Sequence, residues 1–517
     1  MFSRVLGLIR ETMTAAVFGT SALASAYATA FQLPNLFRRL LAEGGMTAAF
    51  VPTLNDEMEK RQRVGAFTLV NQVASWLLVV TGVLVVFSMA VLSQPGWITG
   101  LGNQFGAGDD TIGRWLMAAK LAVVLFPYLI FVCLAAAFSA ALQTLNRFLE
   151  PALSPVWLNC SMIGLLVVGS YLGGTDAVKM NWFCGGVLLG GFLQMAVPAW
   201  ALTREGWRPR FDLKRSEQVR SVARLMGPAV VGSAVYLINM TVSRFIGLSL
   251  NDAAVSVLNY ATRLMELPIG VFAIAVSTVV FPLIVRHAAR GEMDQLGVAY
   301  RKGMRLILMI NIPAAVGLTV LAEPVIRLFF QHGRFQAADT RLMMPVLVVY
   351  ALGLPFFSFV NLVLRAFYAQ KDTKTPVRAA LLSFVVNIVL SFALMGPLSI
   401  VGLAIAGNVA IIVQAWYLQV KLAKKTPQLA VRHLIGDLGK IMLASSVMGL
   451  LVAAGRWGVV QWVVATPISD TLVVAGLVVA GVSVYGGALW VLRIEGREEL
   501  VKLVARFRSR SAAFKHG

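Results

Sequence analysis

Arg4, Arg10 and Glu11, then Arg38, Arg39 and Glu43, then Arg263 and Glu266 all lie inside apolar stretches of this sequence. A charge held at bilayer depth costs roughly 2.5–3.5 kcal/mol on insertion scales, so such residues face a partner or a water-filled cavity. Arginine suits one chemistry above others. Its planar guanidinium bonds two oxygens of a phosphate or carboxylate at once. Spacing sorts these residues further. Arg39 and Glu43 stand four apart, and Arg263 and Glu266 three apart, so each couple shares a helix face and can pair. Arg38 is one residue out of that register and is left facing elsewhere. Arg4 and Glu11 lie two turns apart on roughly one face. Arg10 is adjacent to Glu11 in sequence and is expected to point away from it. Two readings stay open on spacing alone: an anion-binding cluster, or static ties between helices.

The segment 31–52 shows the problem most sharply. It is long enough to cross a bilayer, yet it holds Arg38, Arg39 and Glu43 beside Gly44-Gly45, framed by Pro34 and Pro52. The glycines and prolines predict a bend there. The competing reading is an interfacial segment whose arginines reach the headgroups.

Composition fixes the class. The chain is 58% hydrophobic and 13% charged, against about a quarter charged in soluble proteins. Its long apolar runs read as helices. Spans of about 20 apolar residues are expected at 2–18, 22–52, 65–93, 112–143, 151–172, 179–203, 221–248, 255–285, 303–323, 341–369, 377–395, 399–420, 437–455 and 470–492. The expectation is therefore an all-α polytopic membrane protein with fourteen transmembrane helices. No cleavable signal peptide is read at the start of the chain.

Loop charge supports the alternation. Lys60, Arg61, Arg63, Arg147, Arg204, Arg208, Arg210, Lys214, Arg215, Arg286, Arg290, Lys371, Lys374, Lys421, Lys424 and Lys425 fall on one side. The other side holds Lys179, Arg327, Arg334, Arg341 and Arg456. By the positive-inside rule both termini are cytoplasmic. The net charge of +21 is thus a topology signal, and no nucleic-acid partner is expected. Arg4, Arg10, Arg38, Arg39, Arg114, Lys120, Arg224, Arg244, Arg263 and Arg365 remain within or at the ends of spans. Only Glu11, Glu43, Glu266 and Glu323 oppose them. A net-positive interior attracts an anion.

A repeat is readable. Pro127, Phe131, Val132, Leu134 and Asn159 recur as Pro355, Phe359, Val360, Leu362 and Asn387 at a constant offset of 228 residues. That offset covers six expected helices, an even number, so the halves enter the membrane in the same sense. Two six-helix lobes in parallel repeat, with a site at their interface, are a transporter arrangement. The lobes are placed at 1–210 and 211–426, with two extra C-terminal helices at 427–493 and a basic cytoplasmic tail at 494–517.

Enzyme chemistry is poorly supported. No zinc-protease, nucleophile-elbow or phosphate-loop motif is present, so no catalytic residue, metal or cofactor is expected. Cys133, Cys160 and Cys184 read as packing residues, and the four histidines are scattered. Asp109-Asp110 reads as a solvated turn, and 370–376 as a charged cytoplasmic turn.

The motifs Ser3-Arg4-Val5-Leu6-Gly7-Leu8-Ile9-Arg10-Glu11, Leu33-Pro34-Asn35-Leu36-Phe37-Arg38-Arg39, Ala49-Phe50-Val51-Pro52, Tyr260-Ala261-Thr262-Arg263-Leu264-Met265-Glu266-Leu267-Pro268 and Lys371-Asp372-Thr373-Lys374-Thr375-Pro376 resemble, in order, those of the MurJ (MviN) family. These are lipid II flippases of the multidrug/oligosaccharidyl-lipid/polysaccharide exporter superfamily. The resemblance implies a cationic cavity for the pyrophosphate-linked headgroup of lipid II and a groove for its polyprenyl tail on the last two helices. It assigns the family's essential arginines to Arg4, Arg10, Arg38 and Arg263 and its cavity carboxylate to Glu266. Glu11, Arg39, Glu43 and Ser25 fall at gating or pairing positions. The family's usual Asp is replaced by Ser25, which puts any gating pair there in doubt. Met1 stands only two residues before Ser3, so the first helix is expected to be short or the true start to lie upstream. Some relatives use sodium, but 377–395 and 399–420 contain no carboxylate. Sodium is therefore not predicted, and membrane potential is the expected driver. Membrane lipids and cell-wall synthesis proteins are expected partners of a monomer. A non-transporting scaffold for cell-wall enzymes, an exporter of another polyprenyl-pyrophosphate-linked saccharide, and a membrane transferase are the alternatives.

Overall fold

A computed structural model describes residues 2–38, 40, 47–275, 280–460 and 467–494. All regular structure among them is helical, as expected of an all-α polytopic membrane protein. Arg39, Glu43 and Gly44-Gly45, with the bend expected there, lie outside the described residues, as does 495–517 of the basic tail.

The helices run α1 (Phe2–Phe18), α2 (Ala22–Arg38), α3 (Thr47–Leu92), α4 (Pro95–Gln104), α5 (Asp109–Leu125), α6 (Tyr128–Thr144), α7 (Leu149–Leu172), α8 (Asp176–Arg204) and α9 (Glu217–Leu250). They continue as α10 (Ala254–Ala275), α11 (Phe281–Arg290), α12 (Met293–Val320), α13 (Ala322–Phe330), α14 (Ala337–Ala369), α15 (Lys374–Lys425), α16 (Ile435–Val460) and α17 (Pro467–Val491). Eight are long and apolar enough to cross a bilayer singly. The count is nine if α5 and α6, bent by 44° at Phe126-Pro127, form one span. Two of the eight are compound. Gln62 breaks α3 with φ 54°, and Ser399 breaks α15 with φ 50°, at the start of the expected span 399–420. The helices α1 and α2 are 17 residues each, and α9 and α10 carry arginines, so length and apolarity alone do not reach fourteen.

The expected bent span 22–52 is described on either side of its glycines, as α2 up to Arg38 and α3 from Thr47. Pro127 sits at the bend between α5 and α6, whereas its repeat counterpart Pro355 lies inside the continuous α14. Asn159 and Asn387 are both buried.

The described chain forms two compact units, Met1–Ser256 with Gly333–Phe335, and Val257–His332 with Gln336–Gly517. In the first, one core gathers Tyr27, Leu125, Tyr128, Leu129, Met162 and Phe183. A second core gathers Phe50, Leu69, Val70, Phe138, Leu202, Trp207 and Val222. The helix α9 packs against α2, α3 and α5, so it belongs to this unit although it follows the expected lobe boundary at 210. Glycines set how closely α7 and α8 approach. A Cβ on Gly186 would lie 2.8 Å from the Met162 Cα, and one on Gly190 2.8 Å from the Leu158 Cα. This is the small-xxx-small packing by which helices associate in lipid, where apolar side chains gain little by leaving the solvent.

The second unit packs α12 against α14 and α16, α14 against α15, and α16 against α17. Tyr300, Phe330 and Phe367 are fully buried there. Large apolar side chains also point outward at helical spacing: Val80, Val83, Phe87 and Val91 on α3, and Leu381, Val385, Val389 and Phe392 on α15. Such stripes suit acyl chains. Cys133 and Cys184 are buried as expected, but Cys160 faces outward on α7. Asp109 and Asp110 are exposed in the first turn of α5, where carboxylates meet the positive end of the helix dipole.

Candidate functional site

The central charge of the first unit sits on α1. Arg10 and Glu11 are both buried, at 8% and 6% exposure. Contrary to the expectation that Arg10 points away from Glu11, its Nη2 donates to Glu11 Oε1 at 2.5 Å. Neighbours in sequence can pair here because the guanidinium is long enough to fold back across the helix. The Nη1 of Arg10 donates to Asn159 Oδ1 on α7 at 3.1 Å and lies 3.6 Å from Met162 Sδ. Asn159 is itself oriented, since its Nδ2 donates to Pro155 O at 2.9 Å. The amide oxygen is therefore left for Arg10. A buried charge is tolerable only when paired and hydrogen-bonded in this way. Arg4, two turns earlier, is exposed.

Tyr27 of α2 is buried in the same core, stacked on Phe31 with ring centroids 5.8 Å apart and tilted against Phe183 at 4.8 Å. Its hydroxyl has no hydrogen-bond partner among the described residues. Arg38 is the last described residue of α2. Its Nε donates to Asn35 Oδ1 at 3.0 Å, and Asn35 in turn donates to Phe31 O at 2.9 Å. This fixes the start of a side chain that is half-buried.

Ser25 is fully buried. Its Oγ donates to Asp252 O at 2.5 Å and accepts from Ser256 N at 3.1 Å. It fastens α2 to the turn between α9 and α10. Beside that turn, Arg114 donates from Nε to Leu248 O at 2.8 Å, from Nη2 to Ser249 O at 3.2 Å and from Nη1 to Asp252 Oδ1 at 3.0 Å. The last carbonyls of a helix lack partners within it, and Arg114 supplies them for α9. Part of the interior cationic excess is thus structural. Arg244 likewise donates to Ala28 O, and Arg365 lies over the Phe281 ring at 5.0 Å.

In the second unit, Arg263 donates to Glu266 Oε2 at 2.8 Å along α10, as the i,i+3 spacing predicts. Their side chains are 36% and 49% exposed, so the pair is wetter than Arg10–Glu11. The structure thus brings Arg10 together with Glu11 and Asn159, and Arg263 with Glu266, one cluster in each unit. Asn159 was legible only as a repeat marker. No spacing rule connects it to Arg10, 149 residues away.

Ion pairs also hold the C-terminal helices in the second unit. Arg327 on α13 grips both carboxylate oxygens of Asp470 on α17 at 2.8 Å. Arg456 on α16 pairs with Glu323 and donates to Val320 O at 2.8 Å, and Arg305 on α12 pairs with Asp437 on α16 at 2.7 Å.

A family model described as "Lipid II flippase MurJ" matches residues 14–471. A relative from Rhizobium meliloti (strain 1021), named "Probable lipid II flippase MurJ", is 34% identical over 93% of this chain and 90% of its own. One of the same name from Haemophilus influenzae is 31% identical over 97% and 99%. Among solved structures, a "Lipid II flippase MurJ, inward closed conformation" aligns with TM-score 0.76 at 26% identity, over 97% of this chain and 98% of that one. An inward-facing multidrug resistance MATE family transporter shares the fold, with TM-score 0.64 at 15% identity over 83% and 95%. With these matches spanning nearly the whole sequence, the chain belongs to the MurJ family of lipid II flippases.

Proposed function

We propose that this protein carries lipid II from the cytoplasmic to the outer leaflet of the bacterial inner membrane by alternating access, without covalent chemistry. The observation that carries the reading is the buried Arg10–Glu11–Asn159 cluster on α1 and α7, in a chain of the lipid II flippase family. The buried guanidinium is pre-organised by a carboxylate and an amide. A pyrophosphate offers it several oxygens in the bidentate geometry it prefers. Binding the headgroup therefore shares or displaces the Glu11 contact, which couples substrate to the position of α1. Arg38 on α2 and Arg4 on the exposed face of α1 add positive charge to the first lobe. Arg263 does so in the second, with Glu266 as its resting partner. Arg39 and Glu43, outside the described residues, are assigned to gating or to pairing with each other.

The rest of the proposal follows the sequence. Fourteen spans place both termini in the cytoplasm, in lobes 1–210 and 211–426. The tail of the substrate lies along 427–493, and the membrane potential drives an anionic headgroup outward from a monomer. Cell-wall synthesis proteins are its expected neighbours.

The test is complementation. Arg38→Ala and Arg263→Ala are each expected to abolish growth support when the native flippase is depleted. Full growth with both variants overturns the site assignment. In proteoliposomes, lipid II is expected to be translocated in preference to another polyprenyl-pyrophosphate saccharide. Equal rates would favour the broader exporter.

A further inference from the structure

Residues 205–216, between α8 and α9, have no regular secondary structure, yet they are fixed to the side of α3. Asn71 Nδ2 donates to Arg208 O at 3.0 Å, and Asn71 Oδ1 accepts from Trp207 Nε1 at 3.0 Å and Arg210 N at 3.2 Å. Gln72 Nε2 donates to Asp212 Oδ2 at 2.9 Å, and Gln72 Oε1 accepts from Ser216 Oγ at 2.6 Å. Ser75 Oγ accepts from Asp212 N at 2.9 Å. Trp207 is buried against Phe138, ring centroids 5.1 Å apart. The strap is thus as well anchored as a helix, and what it leaves outward is fixed too.

Outward it leaves both grease and charge. Phe211 is 67% exposed and Leu213 39%. Arg208, Arg210, Lys214 and Arg215 around them are exposed. The Arg215 guanidinium lies 5.4 Å from the Trp76 ring, and at the end of α8 Arg204 covers the exposed Trp200 ring at 3.8 Å. The depth follows from α3. Its most apolar stretch, residues 76–92 with only Thr81 and Ser88 polar, begins five residues past Asn71, which is about 7.5 Å along the axis. Coil cannot lie in hydrocarbon against lipid, and Phe211 gains nothing from water. The level that suits both is the headgroup zone, where apolar side chains insert shallowly and Lys and Arg meet phosphates.

We propose that residues 208–215 form an interfacial anchor for anionic glycerophospholipids. Phe211 and Leu213 insert between acyl-chain ends, and Arg208, Arg210, Lys214 and Arg215 take the phosphates. The anchor stands apart from lipid II translocation. It uses the transport proposal only for the leaflet it faces, which is the cytoplasmic one.

The full-length chain tests it in bilayer discs of phosphatidylcholine with and without phosphatidylglycerol. A nitroxide on Phe211→Cys, in a Cys160→Ser background, is expected to collide with oxygen more than with a water-soluble nickel complex. A label as water-accessible as one on Lys60→Cys overturns the anchor. Native mass spectrometry of the detergent-solubilised protein gives the second readout. The variant R208Q/R210Q/K214Q/R215Q is expected to retain phosphatidylglycerol roughly tenfold less than wild type, with phosphatidylcholine unchanged. Equal retention of phosphatidylglycerol overturns the proposal. The label variant breaks none of the hydrogen bonds that hold the strap, so it reports depth whether or not the charge variant is stable.

Discussion

Arg10 on α1 and Asn159 on α7 are joined by a 3.1 Å hydrogen bond from guanidinium to amide oxygen, in a core that also encloses Glu11. Removing Glu11 leaves the guanidinium buried without its counter-charge. The expected cost of Glu11→Gln is about 3–5 kcal/mol, and Asn159→Leu costs about 1.5–3 kcal/mol for a charged hydrogen bond. Thermal unfolding in detergent measures both. Adding Arg10→Gln to Glu11→Gln should recover part of the loss, because the double variant buries no charge. A double variant less stable than either single one would mean the two residues do not act as a pair.

Ser25 ties α2 to the start of α10 through its hydroxyl. Its hydroxyl donates to Asp252 O, accepts from Ser256 N and lies 3.2 Å from Ser256 Oγ, and a hydroxyl can both donate and accept. Ser25→Ala should therefore lose about 1–3 kcal/mol. Ser25→Asp should lose more, since an ionised carboxylate is acceptor-only and would face the Asp252 carbonyl. Stability of Ser25→Asp equal to wild type would refute this account.

These residues also show where sequence reading succeeds and where it stops. Apolar length and loop charge revealed the class, and the i,i+3 spacing of Arg263 and Glu266 revealed a pair that exists. Local rules work for groups on one helix. They misled for Arg10 and Glu11, because the length and flexibility of an arginine override the direction of its Cβ. They were silent for Arg114, whose partners at Leu248, Ser249 and Asp252 lie more than 130 residues away. Nor could composition distinguish a cation that waits for a ligand from one that caps a helix. The strap at 205–216 looked like an ordinary basic loop because its anchors, Asn71, Gln72 and Ser75, sit inside what reads as a membrane span.

The Arg327–Asp470 pair makes a prediction about the last helices. One nitrogen, Arg327 Nη2, meets both Asp470 oxygens, and the side chains are 25% and 20% exposed, so solvent screens the pair only partly. A double-mutant cycle with Arg327→Ala and Asp470→Ala should give a coupling of about 1–2 kcal/mol. If α17 carries the substrate tail, Asp470→Ala should also slow lipid II translocation in proteoliposomes more than it lowers headgroup binding. A parallel fall in both would argue that the pair serves folding alone.

Acid should release the strap. Gln72 donates to the Asp212 carboxylate and Lys214 N donates to it as well, and together they hold its pKa below the ordinary 3.8. A carboxylate with a depressed folded-state pKa binds fewer protons folded than unfolded between the two values. Its stabilisation is therefore complete above the ordinary value and is lost as pH falls from there through the depressed one. Hydrogen exchange of residues 205–216, corrected for intrinsic rates, should rise as pH drops below about 4 in wild type. Asp212→Asn cannot titrate. It should exchange faster at neutral pH, because it replaces a charged acceptor with a neutral one, and its protection should stay flat across the acid range. Loss of protection at the same low pH in wild type and variant would assign the acid response to another group.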